Sequence, residues 1–162
     1  MRLISKDLPA HHLRGYTGSL NFFGSALVNS AVKPDFSGEW VLDRQASHLT
    51  GGASAMETGV LRIDHRDPKC GFQISMSAGG ESVERAWESR LSDEIPAVDG
   101  FYSRLFWEGD VLAFECGSKG ADETWSMLWR YQLLDSGRRL QAVEQMRGPG
   151  SDFDNTWIFE KG

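Results

Sequence analysis

The chain has 162 residues, 40 % hydrophobic and 11 % aromatic, with two cysteines and a formal charge of −6. That is enough apolar material for one domain with a real core, and it excludes a wholly disordered chain and a disulfide framework. The acidic balance argues against nucleic acid or an anionic membrane as partner, the more so because residues 1–33 carry Arg2, Lys6, Arg14 and Lys33 against Asp7 and leave the rest more acidic still.

Residues 1–33 stand apart from the rest of the chain. Leu20 to Val32 is apolar, with Phe22, Phe23, Ala26, Leu27 and Val28, but falls short of the ~20 residues of a membrane helix, and no other stretch approaches a membrane span. It reads as a degenerate export signal with Val28 and Ser30 before a cleavage point, as a helix laid across one end of the domain, or as a poorly ordered extension. Asp7, Pro9, His11 and His12 sit where an export signal needs a compact basic region, so the reading leans towards the cytoplasm and keeps export open. Lys33-Pro34-Asp35 is the joint, and the domain proper spans 34–162.

From Phe36 onward apolar residues recur with period two, and turn signals separate the runs. Phe36 to Asp43 is the first expected strand. After a loop containing Gly51-Gly52, Gly59 to Arg66 sets Leu61, Ile63 and His65 against Arg62, Asp64 and Arg66, and Asp67-Pro68 ends the run. Cys70 to Ser77 places Phe72, Ile74 and Met76 on one face. Val83 to Leu91 follows the Gly79-Gly80 turn, with Val83, Arg85, Trp87 and Leu91 sharing a face.

A short piece at Ile95 to Val98 precedes Asp99-Gly100. Phe101 to Trp107, Glu108-Gly109-Asp110 and Val111 to Cys116 form the clearest hairpin. Thr124 to Leu134 and Arg138 to Arg147 form another around Asp135-Ser136-Gly137, and Phe153 to Glu160 is the last strand. The pattern predicts an all-β, up-and-down antiparallel barrel of roughly 8–10 strands, because closure removes exposed edges and such a barrel can hold one small ligand. A filled β-sandwich is the alternative.

Several motifs resemble the calycin superfamily, meaning lipocalins, fatty-acid-binding proteins and the lipocalin-like barrels common in bacteria. They are Asp35-Phe36-Ser37-Gly38-Glu39-Trp40 with Leu42, Trp107-Glu108-Gly109-Asp110-Val111-Leu112, Leu140 to Met146, and Trp157-Ile158-Phe159-Glu160-Lys161. The resemblance implies that Gly38 and Trp40 stop one end of the barrel, so Trp40 is expected to be a plug rather than a ligand contact. It also implies inward parity for Asn155, Trp157 and Phe159 on the last strand, and for Ala142, Glu144 and Met146 on the strand before it.

Fatty-acid-binding proteins hold a carboxylate with an arginine and a tyrosine on the last strand. The matching positions here are Trp157 and Phe159, which argues against that manner of binding. Their two-helix lid also has no room in Arg44 to Thr58, which fits at most one short helix.

An inward Glu144 needs pairing, hydration or neutralisation, and Arg85 and Arg130 are the partners the sequence offers. The opposite pleat parity would leave all three in solvent, since a one-residue shift exchanges the faces. The same ambiguity affects Thr124 to Leu134. Apolar area favours Trp125, Met127, Trp129, Tyr131 and Leu133 inward, which would put Arg130 outside.

No catalytic motif is present. His11, His12, His48 and His65 lack metal-ligand spacing with Cys70 or Cys116, alternation separates Asp64 from His65, and the paired glycines are turns. Both cysteines read as ordinary strand residues. No cofactor or metal is implied.

The reading is therefore a module that binds or carries a small hydrophobic molecule, with Arg85, Trp87, Trp129, Tyr131, Glu144, Trp157 and Phe159 as the candidate ligand-binding set. An enzyme using the same cup, a cyclase, isomerase or dehydratase with Glu144 as its acid-base group, is the alternative, and a protein-interaction domain is another. The oligomeric state is not legible in the sequence.

Overall fold

The computed structural model describes residues 32–92, 97–98, 100–119, 124–150 and 152–162. The expectation for the N-terminal extension falls outside them, apart from Val32 and Lys33. The elements are β1 (Gly38–Leu42), β2 (Thr58–Arg66), β3 (Lys69–Ala78), β4 (Glu81–Arg90), β5 (Ala97–Val98), β6 (Phe101–Glu108), β7 (Val111–Lys119), β8 (Thr124–Leu134), β9 (Arg139–Arg147) and β10 (Phe153–Lys161), with short 3-10 turns at Gly51–Ala55 and Asp135–Gly137. The single turn at Gly51–Ala55 is all the helix that the span between β1 and β2 holds.

All ten strands form one antiparallel sheet in the order β4-β3-β2-β1-β10-β9-β8-β7-β6-β5. Consecutive strands pair antiparallel except β4 and β5, which stand at the two edges of the sheet, and the first and last strands meet in the middle through Trp40↔Lys161 and Leu42↔Phe159. The sheet curls until β4 approaches β6. There the bridge Leu91↔Leu105 and the Ser92 N–H, donating to the Leu105 carbonyl at 3.0 Å, complete a nearly closed barrel. β4 borders this seam, with every residue from Glu81 to Ala86 solvent-facing.

One end of the barrel is packed solid. Phe36, Trp40, Leu105, Leu112 and Leu140 are fully buried, with Phe159 beside them. The Trp40 Nε1–H donates to the Phe36 carbonyl at 3.0 Å, and the Lys161 Nζ lies 5.3 Å from its ring centroid. The motif's glycine has a conformational cause: Gly38 adopts φ +143°, a region side-chain-bearing residues avoid, as the chain swings into β1 beneath Lys161.

His65 turns into this end, its ring 5.7 Å from that of Trp107, whereas Asp64 faces outward to Arg66 at 2.8 Å. The pair is split between faces, as a period of two requires. Lys33 also reaches this end, its Nζ donating to the Gly109 carbonyl at 2.6 Å and lying 5.2 Å from the Trp107 ring. Both cysteines are free thiols. Burial pushes the Cys70 thiol up to about 12 and also raises that of Cys116.

Candidate functional site

The opposite half of the barrel is not filled. A cavity of about 590 Å³ opens to solvent there, between the inner faces of β3, β4 and β7 to β10 and the turn at Gly51–Ala55. Strand register explains the contrast. At the packed end Leu140 faces Phe159 and Leu133 across the sheet, whereas two rows along β9 Ala142 opposes Trp157 and Tyr131, and Glu144 opposes Asn155 and Trp129. Alanine removes bulk from the middle of the wall, and beyond it the indole rings lie against one another along the wall, with the cavity in front of them.

The rings form a continuous series. Trp87 stacks on Phe72 at 5.1 Å, Phe72 on Tyr131 at 5.6 Å and Tyr131 on Trp129 at 6.1 Å, while Trp129 meets Trp157 at 5.9 Å and Trp157 stacks on Phe159 at 6.5 Å. Such offset contacts hold each ring in place beyond its simple burial. Ile74 and Met76 from β3, Phe114 from β7, Met127 from β8 and Met56 after the short turn complete the apolar lining. Among the described residues the lining carries one cation, Arg85, one carboxyl, Glu144, and one amide, Asn155.

Glu144 and Asn155 form a buried polar knot. Glu144 is 8 % exposed and Asn155 is 1 % exposed. The Asn155 Nδ2 donates to Glu144 Oε2 at 2.9 Å, and the Trp157 Nε1 donates to the same oxygen at 3.0 Å. Asn155 Oδ1 in turn accepts from the Thr50 backbone N–H at 2.6 Å and the Thr50 hydroxyl at 3.0 Å. The knot thus fastens the loop that leads into the turn at the cavity mouth.

The expected site residues separate into two groups. Arg85, Trp87, Trp129, Glu144 and Trp157 line the cavity. Tyr131 and Phe159, buried at 2 % and 1 % exposure, do not; they stand one row nearer the packed end and back the rings of Trp129 and Trp157. Burial of Tyr131 raises its hydroxyl pKa, which keeps it protonated.

The expected pairing of Glu144 with arginine is corrected. Arg130 is on the outer face, its Nε donating to Glu108 Oε2 at 2.7 Å and its Nη1 to Gln145 Oε1 at 2.6 Å. Arg85 sits on the exposed stretch of β4, and its Nη1 donates to the Glu84 carbonyl at 3.0 Å. The carboxyl is served by neighbours on β10 instead, because the register sets Asn155 directly opposite Glu144.

Met127, Ile74, Met76 and Asn155 belong to faces that alternation identifies, although none is among the candidates. Phe114 alternates with Leu112 and Cys116 and could have been found the same way. Met56 and Ala53 lie outside the strands, where no periodicity marks them.

Comparison with solved structures shows that other proteins share this barrel fold. The fluorescent protein UnaG superposes with a TM-score of 0.56 at 18 % identity, covering 78 % of this chain and 97 % of that one. A secretory abundant heat soluble protein from Ramazzottius varieornatus gives 0.52 at 11 % identity, covering 78 % and 94 %. Apo lipid binding protein 8 from Caenorhabditis elegans gives 0.51 at 12 % identity, covering 78 % and 95 %. No family model matches the chain, and no curated protein matches it.

Proposed function

We propose that the barrel binds and carries a small hydrophobic molecule in its open half. The observation that carries this reading is the cavity of about 590 Å³, faced by the rings of Trp87, Trp129, Trp157 and Phe114 with the Glu144–Asn155 polar knot in its wall. That size and lining are typical of sites that enclose a small organic ligand. Stacked rings offer flat apolar area with little freedom left to lose, so binding costs little side-chain entropy. The fold is shared with a protein named for lipid binding, which is consistent with this use of the cup.

In this reading Trp87, Trp129 and Trp157 contact the ligand, Glu144 and Arg85 are its polar contacts, and Tyr131 and Phe159 hold the contacting rings in position. Native mass spectrometry of the purified protein, compared with its denatured mass, is the direct test. A retained small molecule supports carriage and gives the chemical class. If nothing is retained, titration with the apolar dye Nile red, read by quenching of tryptophan fluorescence, decides. No quenching and no dye emission would sink the reading.

A further inference from the structure

From Glu144 we infer that the ligand carries a hydrogen-bond donor on its inner end, a protonated amine being the fullest match, and that a free carboxylate there is rejected. This rests on the binding reading above and adds the headgroup chemistry. Oε2 of Glu144 is already occupied by two donors, Asn155 Nδ2 and Trp157 Nε1. Oε1 accepts from no group among the described residues, and Glu144, 8 % exposed, lines the cavity. It is therefore reached from the cavity, as an acceptor awaiting a donor.

The charge balance points the same way. A carboxyl removed from water is costly unless a cation or several donors meet it. Among the described residues no cation pairs with Glu144, and Arg85, the one cation of the lining, donates to the Glu84 carbonyl on the exposed strand. An entering ammonium would supply the missing countercharge and a donor to Oε1 in one group, and a hydroxyl would supply the donor alone. A carboxylate would meet like charge at the only unoccupied polar atom of the knot.

The test uses three probes with one apolar body and different heads: decylamine, decanol and decanoate, each displacing Nile red from the full-length protein. The expected order is amine before alcohol before acid, with at least a tenfold gap between amine and acid. Decanoate displacing as well as decylamine overturns the inference while the binding reading stands, and marks Arg85 at the mouth as the polar contact instead. Failure of Nile red to bind, or of every probe to displace it, overturns the binding reading and the inference with it.

The variant Glu144→Gln sharpens the assignment, since an amide oxygen still accepts from Asn155 and Trp157 while its NH2 replaces the free acceptor with a donor. The amine preference should fall about tenfold or reverse. An unchanged preference in the folded variant removes Glu144 from the account. If the variant does not fold, the three-probe order in the unaltered protein still decides.

Discussion

The two halves of the barrel share the same strands and differ in what fills them. At the packed end Trp40, Leu112, Leu140 and Phe159 interlock with at most 1 % exposure. In the open half Trp129, Trp157 and Met127 line a cavity of about 590 Å³. One pleated wall can thus carry a packed core and an open, aromatic-lined cup, separated by the row in which Ala142 opposes Trp157 and Tyr131. The stability of the fold should then reside mainly at the closed end, and the open half should tolerate changes that alter ligand preference.

The largest expected effect comes from making the same deletion in each half. Trp40→Ala removes a fully buried indole and its hydrogen bond to the Phe36 carbonyl, at a cost of about 3–5 kcal/mol. Trp129→Ala enlarges a space that is already open, so the cavity penalty is small and only the lost burial and stacking remain, about 1–2 kcal/mol. Urea unfolding of both variants measures the difference. Equal losses would break the division into a structural end and a binding end.

Next in size is Asn155→Ala, expected to cost about 1–3 kcal/mol, because buried Glu144 loses a donor and Thr50 loses its acceptor. Here the open half does carry structure, since this knot ties the loop at the mouth to β10. Hydrogen exchange should show faster opening around Thr50 to Ala55 while amides at the packed end keep their protection. Protection lost evenly across the barrel would mean that Asn155 supports the whole fold.

Alkaline pH probes the protonated groups buried behind the cavity. Burial raises the Cys70 thiol from its ordinary value of 9.0 to about 12, and Tyr131 is raised as well. A raised acid favours the folded state fully below its unfolded value, and that contribution is lost as pH climbs through the folded one. The urea midpoint should therefore fall as pH rises from 9.0 towards about 12, less steeply in Cys70→Ala, which has no thiol to ionise. Parallel curves would remove Cys70 as a cause.

Much of this barrel is legible in the sequence, because period-two patterning and turn residues are local signals. The strand Thr124–Leu134 is bounded as the pattern predicts, and apolar area alone places its aromatic face inward. The site is only partly legible. Whether Glu144 faces the cavity depends on parity, and what it bonds to depends on register with β10, both long-range properties. Charge made arginine the natural partner, but cross-strand geometry supplied an amide and an indole. Met56 joins the lining only through the path of a loop, which no periodic pattern records.

Arg130 is the smallest expected effect and a sensitive check on that parity. Its guanidinium lies on the outer face against Glu108, with the two side chains 34 % and 38 % exposed. Such a pair contributes about 0.2–1 kcal/mol, because water screens it and ordering two long side chains offsets the attraction. Arg130→Ala should therefore change the urea midpoint little and leave Nile red affinity and the amine preference unaltered. A weakened amine preference with unchanged stability would mean that Arg130 acts on the cavity through Gln145, the neighbour of Glu144 on β9 to which its Nη1 donates. The outer and inner faces of that strand would then be coupled, and the line between scaffold and site would run through β9 rather than between the ends of the barrel.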